Sequence, residues 1–487
     1  MTTAKKRLGR WLRPGRVRIF SLTAGEIVQA TAGELLAGDI HSPAEGVASD
    51  SRQVRPGQLF IPLKGPRFDG HEFIGEALAK GASGSLVQRG REKSTAGSNR
   101  QGKFFVRVEN VLTALGDLAH FWRRRYSGKV VAITGSNGKT TTKEMAARIL
   151  AERFNVLRTE GNLNNLIGLP LMLLRLSPVH EVAVLEMGMS GLGEIRRLKE
   201  IAEPQVSLIT NIGRAHLEFL GSLEGVARAK GELWEGLKEE DWIAVNVDDR
   251  RVAELASRLK CRKKTFGILG KADVGGEDLS LDDGRGIRLA LRIGGRKRLV
   301  SLPAFGRHNV YNALAAATLG DILGVGIEGI AAGLETFQIY PGRGKLIRLA
   351  KGVSILDDSY NANPDSLRAT LLAFAEMKEG NRGILVMGDM LEIGASSAEV
   401  HEQAGKSIGA MGFEHLFFLG EMAKKLAAGA LFSGMGETKV HFCQTHEEVL
   451  KDLEKVIERG DWILVKGSRG MHMERIIYGL QNRPGES

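Results

Sequence analysis

Apolar and polar positions follow two rhythms along this chain. Short runs of β-branched residues alternate with longer stretches in which apolar residues return every three or four positions. The clearest change of rhythm is Val130–Thr142, V-V-A-I-T-G-S-N-G-K-T-T-T. Val130, Val131 and Ile133 predict a buried strand, and Met145, Ile149, Leu150 and Phe154 then recur at helical spacing. Further buried strands are predicted at Val182–Leu185, Val206–Ile209 and Trp242–Val245, separated by helical patterns, which implies a parallel sheet covered on both faces. Ile287, Leu289, Leu291 and Ile293 alternate with Arg288, Ala290 and Arg292. Gly294-Gly295 then turns the chain and Arg298–Leu302 returns it as a hairpin. Beyond Tyr340-Pro341-Gly342, strands are predicted at Val353–Leu356, Ile384–Met387, Leu416–Leu419 and Ile463–Val465, again alternating with helices, as in a doubly wound unit. The stretch from Val17 to Gln88 is short-patterned and mixed. Within it Gly57–Ala82 reads as strand, polar loop and helix, and the aperiodic Arg89–Lys103 that follows reads as an exposed loop.

These patterns predict an α/β chain of three domains. A mixed α/β N-terminal domain covers 17–105, a central parallel-sheet P-loop ATPase-like domain 106–338, and a C-terminal Rossmann-like doubly wound domain 339–487. Composition adds limits. A chain of 487 residues is too long for one core, and 43% hydrophobic with 26% charged residues is ordinary for a soluble globular protein. The two cysteines, Cys261 and Cys443, form no framework, so the reducing cytoplasm is the expected compartment. No apolar run approaches the roughly 20 residues that cross a bilayer. A net charge of +11 favours an acidic partner, either nucleic acid or a polyanionic small substrate. With the basic residues dispersed and only 6% aromatics there is no stacking platform for a single strand, and no specific nucleic-acid binding is expected. The one dense cluster, Lys5, Lys6, Arg7, Arg10, Arg13 and Arg16, has no acid and no apolar segment, so residues 1–16 read as a disordered basic arm.

Strand, glycine turn and helix at 130–142 aim backbone N–H groups at one point, which suits a phosphate. Gly135, Ser136, Asn137 and Gly138 would cradle it, Lys139 would add charge at the outer phosphates, and Thr140, with Thr141 behind it, could ligate Mg²⁺. The standard motif asks for glycine six positions before the lysine, where Ile133 stands, so a plain glycine-rich connection is the competing reading. Glu186 ends the run V-A-V-L-E, well placed for Mg²⁺ at a strand's carboxyl end. His216 and Lys230 taken alone read as a hydrogen-bonded histidine and a solvated helix lysine. An ammonium beside Mg²⁺ makes no electrostatic sense unless its charge is altered. Asn309 and Asn312, one helical turn apart, could read a purine edge through paired hydrogen bonds. Arg343 sits at the expected joint of the second and third domains, within reach of a phosphate if they close. Polar loops at Leu356–Ser366, Gly388–Met390 and Lys466–Arg469 follow three predicted strands, where α/β sheets bind ligands.

The order T-G-S-N-G-K-T-T, G-N-L-N-N-L-I-G-L-P, E-M-G-M, A-H-L-E, A-K-G-E-L, G-R-H-N-V-Y-N-A, D-D-S-Y-N-A-N-P and K-G-S-R-G resembles the bacterial Mur ligases, and S-D-S-R and F-D-G-H extend the likeness to the first domain. These are ATP-dependent enzymes that build the peptide of the cell-wall precursor. D-D-S-Y-N-A-N-P-D-S and G-D-M-L-E-I-G look most like the members that add D-alanyl-D-alanine to UDP-N-acetylmuramoyl-tripeptide. The resemblance implies ATP and two Mg²⁺ ions. Thr140 and Glu186 would hold one ion, and His216 and a carbamylated Lys230 would help hold the other, which removes the objection to a lysine there. It implies ATP contacts from Asn309, Asn312, Arg343, Asp358 and Tyr360. Asn162, Asn164, Asn165, Asn361 and Asn363 would face the acceptor side, while Ser51 and Arg52 would hold the uridine diphosphate end. The implied reaction is amide formation through an acyl phosphate, by a monomer. The rivals are a family member adding one amino acid, a folylpolyglutamate synthetase, and a P-loop switch protein that makes no bond; the folate enzyme would lack the first domain.

Overall fold

The computed structural model describes residues 20–95, 101–282, 286–350 and 352–482. The basic arm at 1–16 and positions 96–100 of the expected Arg89–Lys103 loop lie outside the described residues. The chain divides into two compact units. One takes in the residues up to Val130 with Thr159–Ala183 and Arg197–Glu203; the other takes in Val131–Arg158, Val184–Arg196 and Pro204 onward.

In the first unit a five-stranded sheet runs Glu34–Ala37, Phe104–Val108, Gly84–Gln88, Leu59–Phe60, Val47–Ala48. Its first pair is antiparallel and the rest are parallel. Phe60, Ile74, Val87 and Phe105 pack into one core. The strand–loop–helix reading of Gly57–Ala82 corresponds to the strand Leu59–Phe60 and the helix Ile74–Ala79. The exposed-loop reading of Arg89–Lys103 holds for Arg89–Arg91, Gln101 and Gly102, while Glu92–Thr95 forms a 3₁₀ turn that buries Thr95. The Thr95 hydroxyl donates to the Glu92 carbonyl at 2.8 Å, a local closure that leaves no periodicity in the sequence. Arg123, at the end of the helix Val111–Arg123, is buried and donates to the carbonyls of Ala202 and Glu203. Those acceptors close the helix Glu194–Ala202, whose last carbonyls have no partner within the helix.

A nine-stranded sheet holds the phosphate strand. Its order is Arg296–Leu302, Ile287–Ile293, Val274–Leu281, Arg262–Gly267, Trp242–Asn246, Val206–Ile209, Lys129–Thr134, Val182–Glu186, Val156–Arg158. Val206–Ile209 lies parallel between Lys129–Thr134 and Trp242–Asn246. The expected hairpin forms, with Ile293 facing Arg296 across Gly294-Gly295, both at positive φ as a two-residue hairpin turn requires. It joins the parallel core through an antiparallel pairing with Val274–Leu281 and so makes the sheet mixed. Phe154 falls outside the expected helical pattern, because the helix Lys139–Leu150 ends before it.

A six-stranded sheet follows, ordered Lys345–Arg348, Ser354–Asp358, Trp462–Lys466, Gly383–Gly388, His415–Leu419, Val440–Cys443. All pairs but the first are parallel. Leu356, Leu385, Phe418 and Leu464 pack on one face, and their chain neighbours Ile355, Ile384, Phe417 and Ile463 on the other. Successive side chains of a strand point to opposite faces, so continuous apolar runs mean helices cover both. The register aligns Asp358, Lys466 and Met387, bringing the three polar loops to one edge of the sheet.

Candidate active site

The turn after Lys129–Thr134 needs its glycines. Gly135 has φ +144° and a Cβ there would stand 1.9 Å from Thr210 Oγ1; Gly138 has φ +81° and its Cβ would stand 2.1 Å from Asn312 Oδ1. Both positions combine close approach with a backbone that L side chains avoid. The neighbouring segment braces the turn. Ser136 N donates to the Asn211 carbonyl and Asn137 N to Asn211 Oδ1, both at 3.0 Å, and Thr210 Oγ1 donates to the Asn137 carbonyl at 2.6 Å. The helix Lys139–Leu150 starts with no side-chain cap, leaving its positive end for an anion. Ile133, where the standard motif has glycine, is simply buried in the strand. Lys139 Nζ donates to the Gly135 carbonyl at 2.7 Å. Burial lowers the Lys139 pKa, with Glu186 and Glu392 opposing that shift and Arg343 adding to it.

Thr140 Oγ1 donates to Glu186 Oε1 at 3.1 Å. Glu186 is buried, and its other oxygen lies 3.8 Å from the ammonium of Lys143, itself fully buried and 2.9 Å from Glu144. Two oxygen donors side by side at a phosphate turn fit a hard divalent cation that keeps its remaining positions for phosphate and water. Lys230, on the helix Leu223–Gly231, is 1% exposed and has no ion-pair partner among the described residues. Burial, and then the charge of Lys139, push its pKa well below the ordinary lysine value. A lowered pKa favours the neutral amine, the form of lysine that reacts with CO₂. His216 Nδ1 lies 2.7 Å from Glu392 Oε2, a carboxylate from the loop after Gly383–Gly388. Among the described residues no three or more His, Cys, Asp or Glu side chains are grouped so as to hold a metal ion by themselves.

The C-terminal sheet's loops meet this turn. Arg343 stacks on Tyr360, its guanidinium carbon 3.9 Å from the ring centroid, and Nη2 reaches 3.5 Å from Thr140 Oγ1. Asn363 Nδ2 donates to Asn137 Oδ1 at 2.8 Å, and Arg214 N donates to Asp365 Oδ2 at 2.7 Å. Other expected ligand-facing groups turn inward. Asp358 accepts from Lys466 Nζ and Thr370 Oγ1, and Lys466 also donates to the Asn361 carbonyl. Asn312 Nδ2 donates to Asn309 Oδ1, Asn309 Nδ2 donates to the Phe305 carbonyl, and Thr142 Oγ1 donates to Asn312 Oδ1. Asn312 thus ties Asn309 to Thr142 of the phosphate helix.

Ser51, Arg52, Asn162, Asn164 and Asn165 belong to the first unit. Ser51 Oγ donates to Glu76, Arg52 pairs with Asp50 and keeps 81% of its side chain exposed, and Asn165 Oδ1 accepts from the N–H groups of Ile167 and Gly168. Thr210, Asn211, Asp365 and Glu392 escaped the sequence reading. Asp365 stands in the quoted N-P-D-S and Glu392 in G-D-M-L-E, but no local pattern says that either crosses to another sheet's loops.

Comparison with known proteins was consistent over the whole length. Three families match: Mur ligase family, catalytic domain, at residues 43–123; Mur ligase middle domain at 133–320; and Mur ligase, glutamate ligase domain, at 342–469. UDP-N-acetylmuramoyl-tripeptide–D-alanyl-D-alanine ligase of Bacillus subtilis is 36% identical over 93% of this chain and 97% of its own. The crystal structure of MurF from Acinetobacter baumannii superposes with a TM-score of 0.86 at 34% identity, covering 96% of this chain and 100% of that one. MurF ligase from Thermotoga maritima, solved in complex with ADP, gives 0.79 at 30% identity over 90% and 97%. With three matching domain families in order and this relative so similar at nearly full length, the chain belongs to the Mur ligase family.

Proposed function

We propose that this Mur ligase joins D-alanyl-D-alanine to the terminal carboxylate of UDP-N-acetylmuramoyl-tripeptide with cleavage of ATP to ADP and phosphate. The observation that carries the reading is the meeting of Lys139, Thr140, Glu186 and Arg343 at one glycine turn, with loops of a second sheet docked on it. The names of the near-full-length relatives supply the substrates.

The tripeptide carboxylate attacks the γ-phosphorus, the bond from that phosphorus to the β-phosphate bridging oxygen breaks, and ADP leaves. The dipeptide's amine then attacks the acyl carbon of the mixed anhydride, phosphate departs with the bonding electrons, and the amine's extra proton passes to solvent or phosphate. Bringing a carboxylate to a triphosphate is the electrostatic difficulty. Lys139 answers it by exchanging the carbonyl of Gly135 for phosphate oxygens, and Arg343 by presenting a planar fork held against Tyr360. Two Mg²⁺ ions, when bound, would neutralise the triphosphate; Thr140 with Glu186, and His216 with a Lys230 carbamate, are the residues that would hold them. Asn309 and Asn312 support the turn from beneath. Asp358 shapes its loop through Lys466, while Tyr360, Asn361 and Asn363 line the C-terminal side. Ser51 and Arg52 take the uridine diphosphate, and Asn162, Asn164 and Asn165 the acceptor end. We read the enzyme as a monomer. Two buried free cysteines suit a cytoplasmic enzyme, and no described helix is long and apolar enough to cross a membrane.

The test is ATP-dependent phosphate release against a matrix of acceptors (UDP-muramoyl dipeptide, UDP-muramoyl tripeptide, a folate) and amines (D-alanyl-D-alanine, a diamino acid, glutamate). Turnover confined to tripeptide with D-alanyl-D-alanine is expected. Turnover with dipeptide and a diamino acid would move the enzyme one step earlier in the same peptide, and silence throughout with ATP still bound would leave a switch protein.

A further inference from the structure

We propose that Glu392 is a positioning residue, lent by the C-terminal sheet to His216, that aims the imidazole at the phosphate site. This rests on the reading that His216 faces a metal ion there. Glu392 Oε2 stands 2.7 Å from His216 Nδ1, a close contact off the line of a straight hydrogen bond. The backbone reinforces the meeting. Glu218 N points to the Glu392 carbonyl at 3.4 Å, and Gly394, at φ +77°, comes so close that an added Cβ would lie 3.1 Å from Glu218 Cα. Both partners hold left-handed backbone conformations, φ +55° at His216 and +63° at Glu392, where non-glycine residues seldom sit. Two such residues facing each other at a candidate active site mark a constraint imposed by function rather than by local propensity.

Stability does not explain the pair. The two side chains are 22% and 53% exposed, and ion pairs so open to water contribute little. Orientation does explain it. Metal-binding imidazoles present one ring nitrogen to the ion and direct the N–H of the other to a carboxylate, which sets the tautomer and the ring plane. With Glu392 facing Nδ1, the Nε2 lone pair is the one free to ligate. Because Glu392 follows a strand of the C-terminal sheet and His216 follows one of the central sheet, the imidazole is held in its working orientation only while the two sheets' loops are docked.

The experiment compares the full-length enzyme with Glu392→Gln, Glu392→Ala, His216→Ala and the double Glu392→Ala/His216→Ala variant. It reads kcat and KM for ATP in steady state, and Mn²⁺ affinity by electron paramagnetic resonance with a non-hydrolysable ATP analogue and UDP-tripeptide bound. Glu392→Ala is expected to lower kcat and Mn²⁺ affinity by about 10- to 100-fold, with KM for ATP little changed. Glu392→Gln, nearly isosteric at a half-exposed position, should fold normally and fall between it and the wild type. In the His216→Ala background the Glu392→Ala change should add nothing. Wild-type kcat and Mn²⁺ affinity in Glu392→Ala overturn the proposal. So does a loss that is just as large when His216 is already absent, since Glu392 would then act on something else. Wild-type kcat and Mn²⁺ affinity in His216→Ala would instead strike the metal reading of His216, and the proposal with it, and is told apart by that single variant.

Discussion

Two sheet edges supply this site, and they are built in opposite ways. At the central edge the polar side chains of Thr210, Asn211 and Asn312 are spent on the phosphate turn itself, which is thereby held rigid. Its cation Lys139 rests only on carbonyls, which phosphate oxygens can replace. At the C-terminal edge several charged side chains are satisfied within the edge. Lys466 pairs with Asp358, and Asp389 accepts from the N–H groups of Glu421 and Met422. What remains to face outward is the Arg343–Tyr360 stack, Asn363 and Glu392. The central edge offers Lys139 from a braced turn, and the C-terminal edge brings Arg343 and Glu392 to it by docking. Phosphoryl transfer needs little covalent help and much positioning, which suits this division.

Removing the buried amine at the central edge should do the most damage. Lys230→Ala is expected to lower ligation by about 100- to 1,000-fold or more, on the scale of losing a charge-stabilising group, with no rescue by added bicarbonate. Ligation at the wild-type rate would end the carbamate role and weaken the contrast between the edges. Next comes the rigidity of the turn. Gly138→Ala must take φ +81° and push against Asn312, so a cost of about 1–3 kcal/mol and a marked loss of ATP affinity by calorimetry are expected. If ATP binds normally, the bracing from beneath is dispensable.

A change at the C-terminal edge should be felt first in stability. Lys466→Met leaves Asp358 facing a buried methionine, and a loss of about 3 kcal/mol by chemical denaturation is expected; adding Asp358→Asn should restore much of it. A large fall in kcat with unchanged stability would instead make Lys466 a ligand group and blur the comparison. The smallest effect belongs to the basic arm. Deleting residues 1–16 should leave kcat and KM for both substrates unchanged, because no motif of either edge lies in it. A fall in activity would make the arm part of the enzyme.

The sequence by itself determined the strands of both edges, the glycine turn between Ile133 and Lys139, and the order of motifs that identifies the family. These are local properties. Buried β-branched runs, helical periodicity and glycine at positive φ follow from solvent transfer and backbone sterics over a few neighbouring residues. Only the tertiary structure decided where the polar side chains go. Asn309 and Asn312 sit at the spacing that suits a purine, and the fold also bonds them to each other with Asn312 close under Gly138. Asp358 sits at a strand end that suits a ligand, yet Lys466 from the adjacent strand claims it. Lys230 looks like a surface helix lysine until packing buries it with no ion-pair partner among the described residues, and Glu392 finds His216 across two sheets. A polar group's energy is set by its partner and its dehydration, and both come from segments far away along the chain.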